Sequence, residues 1–147
     1  MGRRLLLLSV IAATLVAGCG GGSSKLSHDE FVKKANAICG DYNSKTAKLG
    51  TPNSFDTVVT YAQQLQSIAK DAVGKFKKLN PPDDERANWQ AFAKTGDELI
   101  AAAGQLEQAG KDQDTAKLQQ LLSEAQARSA ESHRIGAKMG TPACAST

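Results

Sequence analysis

The sequence predicts an all-α fold, an up-down-up-down four-helix bundle that follows an N-terminal leader and a flexible tether. Three observations lead there. Four stretches carry apolar residues at three-four spacing, the pattern of one helix face, and each is bounded by a Gly or Pro break. Aromatic residues make up only 5% of the chain while alanine is abundant, which suits closely packed helices better than a β-sandwich. The links between the stretches are short, so successive helices must run antiparallel.

The leader comes first. Arg3 and Arg4 form a positive start, and Leu5 to Ala17 is almost wholly apolar. That run fits the roughly 7–15 residues of a signal-peptide core and falls short of the ~20 that a spanning helix needs. Small residues then precede a cysteine: Leu15-Val16-Ala17-Gly18-Cys19 resembles the lipobox of bacterial lipoproteins. The resemblance implies cleavage before Cys19, a thioether-linked diacylglycerol on its thiol and, often, a further acyl group such as palmitate on the new amino terminus. Two or more chains anchor stably, so the expected location is the extracytoplasmic side of the cell membrane, held by lipid. The alternative is an ordinary secretory signal in which Cys19 happens to lie near the cleavage site. Residues 1–18 are thus read as a lipoprotein signal peptide and 19–27 as the lipidated cysteine with a Gly/Ser tether. Residues 28–147 form the bundle with a C-terminal strap. Gly20 to Ser24 reads GGGSS, which cannot build a core. It is not a phosphate loop either, because no strand precedes it and Leu26 follows Lys25.

The formal charge of +3 belongs largely to the leader: without Arg3 and Arg4 there are 16 basic residues against 15 acidic. A nearly neutral mature chain gives no reason to expect nucleic acid as a partner. Lipidation would consume Cys19 and leave Cys39 and Cys144 in an oxidising compartment, where they are expected to pair. Two unpaired buried thiols are the alternative.

Helix 1 begins at Ser27, which fits a capping box with Glu30. Asp29 lies in the first turn, where the helix dipole favours an anion. Phe31, Ala35, Ile38, Tyr42 and Leu49 form its stripe, and Gly50 with Pro52 behind it ends the helix. Helix 2 runs from about Ser54 to Leu79 with Phe55, Val58, Ala62, Leu65, Ala69, Ala72, Phe76 and Leu79 on its seam, and Asn80-Pro81-Pro82 stops it. Helix 3 is expected to start around Asp83, since Asp83, Asp84 and Glu85 suit a helix N-terminus. Its seam is Trp89, Phe92, Gly96, Leu99, Ala103 and Leu106, with Gly110 as terminator. Helix 4 opens near Asp114 or Thr115. Leu118, Leu122, Ala125, Ser129, Ser132, Gly136 and Met139 form its stripe, with Leu121 and Ile135 beside it. Gly140-Thr141-Pro142 breaks it. The tail must then turn back along helix 1, as a short extended strap, to bring Cys144 to Cys39.

Three features together, FVKKANAIC at Phe31–Cys39, LNPP at Leu79–Pro82 and a cysteine near the C-terminus, resemble small helical lipoproteins of actinobacterial type. The resemblance spans nearly the whole mature chain. It agrees with the helical fold and the Cys39–Cys144 bridge, and it carries over no catalytic or binding residue.

Candidate chemistry is thin. His28 and Met139 would share one end of the bundle, but a histidine in a first turn is solvated, so neither haem nor a metal is expected. Ser129, Ser132 and His133 share a helix face without a nucleophile elbow or an orienting acid, so no catalytic residue is assigned. The small residues of helices 3 and 4, among them Gly96, Ala103, Ala125, Ser129 and Gly136, allow two outcomes. Either the helices close on one another, which interior packing density favours, or a cavity lined by Trp89, Phe92, Leu99 and Leu122 takes an apolar ligand. The expected function is that of a membrane-anchored envelope lipoprotein, not an enzyme and without a cofactor, which binds or spaces other envelope components. The alternative is a carrier of a small apolar ligand within the bundle.

Overall fold

The computed structural model describes residues 24–146. The segments read above as a signal peptide and lipobox, with Cys19, therefore lie outside the described residues. Four helices follow one another: α1 (His28–Thr46), α2 (Phe55–Lys77), α3 (Arg86–Lys111) and α4 (Thr115–Lys138). The all-α, up-down-up-down bundle is the observed architecture. Each helix packs on the next in sequence, but no Cα of α1 comes within 8 Å of one in α4. The bundle therefore has three closed seams and one open one.

Local chemistry explains the starts. The Ser27 Oγ accepts from the Glu30 N–H (3.3 Å) while the Glu30 carboxylate accepts from the Ser27 N–H (3.0 Å), the reciprocal capping box. Ser54 and Thr57 do the same for α2. Asp114 caps α4 by accepting from the Lys117 N–H at 2.9 Å. Helix α3 begins at Arg86, three residues later than its acidic run suggests, and has no side-chain cap. Pro81 and Pro82 feed a separate tight turn, in which the Glu85 N–H donates to the Pro82 carbonyl, so Asp83 and Asp84 stand before the helix. Nor does Gly110 end α3. It is buried inside the helix, where a Cβ would lie 3.0 Å from Val59 Cγ2 and 3.2 Å from Val58 Cγ1. Its role is the close approach of α2 and α3.

Helix α4 ends in a Schellman motif. Gly140 takes φ +65°, the Thr141 N–H donates to Gly136 and the Gly140 N–H to Ala137. Its buried face holds Leu121, Ile135 and Gly136, while Leu122 is 55% exposed. The expected stripe is thus one residue off near the start of α4. The reason is tertiary: α4 has one helical neighbour, α3, so the flank that a closed bundle would bury is bare.

The bulky core sits at one end, here called the base, where α1 starts and α4 stops. Phe31, Phe76, Ile135 and Met139 are buried there with the two cysteines. The Phe31 and Phe76 rings meet edge-on at 6.4 Å, and Phe92 lies 4.8 Å from Phe76. The strap closes this end. It is a compact turn instead of an extended segment, with Cys144 and Ala145 N–H groups donating to the Thr141 carbonyl. Two asparagines of α1 hold it: Asn36 accepts from the Ala143 N–H at 2.9 Å, and Asn43 donates to the Ala143 carbonyl at 2.9 Å. The sulfurs of Cys39 and Cys144 are bonded at 2.07 Å across 105 residues of sequence.

Candidate ligand cavity between α1 and α4

The open seam between α1 and α4 holds a cavity of about 500 Å³, within the roughly 300–1,000 Å³ typical of small-molecule sites. Its size follows from the side chains around it. The floor, from α2 and α3, includes Ala69, Ala72, Ala93 and Gly96, which leave volume unfilled. At Gly96 α2 and α3 pack closely, since a Cβ there would sit 2.5 Å from Val73 Cγ2. Leu65, Phe76, Phe92 and Leu99 supply apolar wall, and α1 contributes Ile38, Tyr42 and Asn43. The strap and the disulfide border the base side through Ala143 and Cys144.

The α4 edge is different. Where a closed bundle would carry leucines it presents Ala125, Arg128, Ser129, Ser132 and His133. Ser132 Oγ donates to Thr95 Oγ1 (3.1 Å), which donates to the Phe92 carbonyl (2.8 Å), so those hydroxyls are spent on α3. Ser129 Oγ and His133 Nε2 lie 3.4 Å apart. Among the described residues no Asp or Glu lines the cavity, so no carboxylate there orients the imidazole as an acyl-transfer site would need. Arg128 is the only Lys or Arg in the lining. Its Nη2 donates to Glu124 at 3.2 Å, whereas its Nη1 is buried with no hydrogen-bond partner among the described residues. Burial, with the neighbouring Tyr61 phenol, pushes the Tyr42 hydroxyl up to about 12, so this wall stays neutral at ordinary pH.

The four residues expected to line a pocket divide evenly. Phe92 and Leu99 line the cavity. Trp89 does not: its indole N–H donates to the Phe76 carbonyl at 3.0 Å, which also accepts from the Leu79 N–H at the end of α2, while its ring packs on the base core. Leu122 does not either, being exposed beyond the lining. The reason is that the opening lies between α1 and α4, whereas α3 and α4 do pack together. Sequence reading missed the α1 wall and Arg128. One signal for them exists. From Leu122 to Ile135 the α4 stripe holds no large apolar residue, so that face cannot fill a seam.

Among the described residues no group of three or more His, Cys, Asp or Glu is placed to hold a metal, and no helix is long and apolar enough to cross a membrane. Comparison with protein-family models, curated proteins and solved structures gives no match for this chain.

Proposed function

We propose that the mature chain is a non-catalytic envelope protein, tethered to the outer face of the cell membrane through lipid on Cys19, that carries a small apolar ligand between α1 and α4. One observation carries this reading: a cavity of about 500 Å³ with largely apolar walls, set where a closed bundle would have its fourth seam. The competing reading, a spacer that docks envelope proteins, needs a contiguous exposed apolar patch. Among the described residues Leu122 is the one large hydrophobic side chain that is exposed, so support for that reading is weaker. The tether argument rests on the leader and lipobox at Leu15–Cys19. Residue 24 leads into α1 at the base, so a lipid at Cys19 would turn the base and its strap toward the membrane.

Two measurements test this. Native mass spectrometry of the protein taken from its own host should find a small apolar molecule bound one to one; a bare chain, or a co-purified protein alone, contradicts the carrier reading. Cys19→Ser should move the protein from the membrane fraction to the soluble one, and membrane retention with the leader uncleaved would make the apolar leader the anchor instead.

A further inference from the structure

Building on the reading of the cavity as a ligand site, we propose that its ligand is a single-chain amphiphile with an anionic head, of the fatty-acid class. The head sits at Arg128 and the chain lies along the apolar floor. The charge of the lining is one-sided. Arg128 contributes a guanidinium, and among the described residues no carboxylate lines the cavity to answer it from within. Glu124 takes up Nη2 from outside the lining, and Nη1 is left buried without an acceptor. A buried cationic N–H without a partner is costly, and a carboxylate oxygen is the acceptor that offsets the cost best. A wholly apolar ligand would leave Nη1 unpaired, and a cationic head would be repelled. Ser129 and His133 stand beside Arg128 on the same α4 edge and add polar groups at that corner.

The rest of the lining suits an acyl chain. Leu65, Val73, Phe76, Phe92 and Leu99 line the cavity with uncharged apolar side chains. Arg128 precedes Met139 by 11 residues, or about 16 Å of helical rise. The head would therefore lie away from the base, with the chain running toward the strap and the disulfide.

Calorimetric titration tests this on the full chain carrying Cys19→Ser, so that no acyl group of its own competes. Dodecanoate should bind at least tenfold tighter than 1-dodecanol, and dodecyltrimethylammonium more weakly than either. From decanoate to tetradecanoate each added methylene should tighten binding roughly fourfold until the cavity is full. Arg128→Gln should abolish the preference for dodecanoate over dodecanol. Equal binding of dodecanoate and dodecanol to the chain with Arg128 in place overturns the anionic-head inference but leaves the cavity as a carrier site. Failure of all three probes to bind overturns both. A circular-dichroism melt checks that Arg128→Gln folds; if it does not, the comparison of head groups on the chain retaining Arg128 decides alone.

Discussion

At the base of the bundle, Phe31 and Met139 are fully buried, Phe76 nearly so, and the strap is bonded to α1. A few turns farther along, what faces the open α1–α4 seam from α4 is Ala125, Ser129 and Ser132. The helices are continuous through both regions, so neither caps nor propensity makes the difference. Side-chain volume does, together with one covalent link. Bulky residues from all four helices fill the base, and the strap holds α1 against the end of α4 there. Along the seam no side chain of sufficient size reaches across. Closing it would bring Arg128 deeper into the interior, at a desolvation cost that small neighbours could not offset.

The largest predicted effect is at the strap. Reducing the Cys39–Cys144 bridge releases a loop of 105 residues from its constraint, and the chain-entropy model gives an upper figure of ~4–5 kcal/mol. The helices should survive with a lower Tm by circular dichroism. Thiol labelling of the unfolded, non-reduced chain should leave Cys39 and Cys144 unlabelled, and labelling of both would contradict the bridge. Core truncation should separate the two regions next. Phe31→Ala should cost ~3–5 kcal/mol in denaturant unfolding, because Phe31 is fully buried in the base core and does not line the cavity. Leu99→Ala, which borders an existing cavity, should cost less than half as much. Equal losses would mean that the seam is as tightly packed as the base.

Glycine substitutions sharpen the contrast further. A Cβ at Gly136 would lie 2.7 Å from the Cys144 backbone, which the disulfide holds in place, so Gly136→Ala should destabilise by ~1–3 kcal/mol. At Gly96 the obstacle is the Val73 side chain, which can turn toward the cavity, so Gly96→Ala should cost less. Reversal of that order in thermal melts would show that the strap yields more easily than the α2–α3 contact.

How much of this is legible in the sequence depends on the range of the interaction. The caps are local: the sequence locates Ser27 to the residue, and its starts at about Ser54 and at Asp114 or Thr115 fall at or next to the observed caps Ser54 and Asp114. The start of α3 is misread because Asp83 and Asp84 would suit either a helix or the turn that follows two prolines. Gly110 is misread because a glycine that stops a helix and one that admits a neighbouring helix look alike without the neighbour. Leu121 and Leu122 are equally apolar, and only the missing α1–α4 contact decides which is exposed. Half of the expected pocket, Phe92 and Leu99, follows from the seam pattern of one helix. Tyr42 and Arg128 come from helices whose separation is a property of the assembled bundle. No local pattern encodes that.

A further predicted effect, confined to high pH, is the alkaline response of the α1 wall. The Tyr42 hydroxyl is raised from an ordinary value near 10 to about 12 by burial. The folded state therefore holds the phenolic proton more tightly than the unfolded state does. That contribution, of order 2 kcal/mol, is complete below pH 10 and is lost as pH rises toward 12. Tyr42→Phe should flatten this part of the stability profile and leave stability near pH 7 almost unchanged. An identical alkaline loss in the variant would assign it to other groups.

Methyl-resolved NMR during titration with dodecanoate probes both regions in one measurement. The central claim is that the seam is a ligand site and the base is a closed core. It predicts saturable shifts at the methyls of Leu65, Leu99 and Ala125 and none at Leu26 or Leu79, which pack against the base core. Shifts at Leu122 with the seam methyls silent, or no saturable shift anywhere, would contradict it.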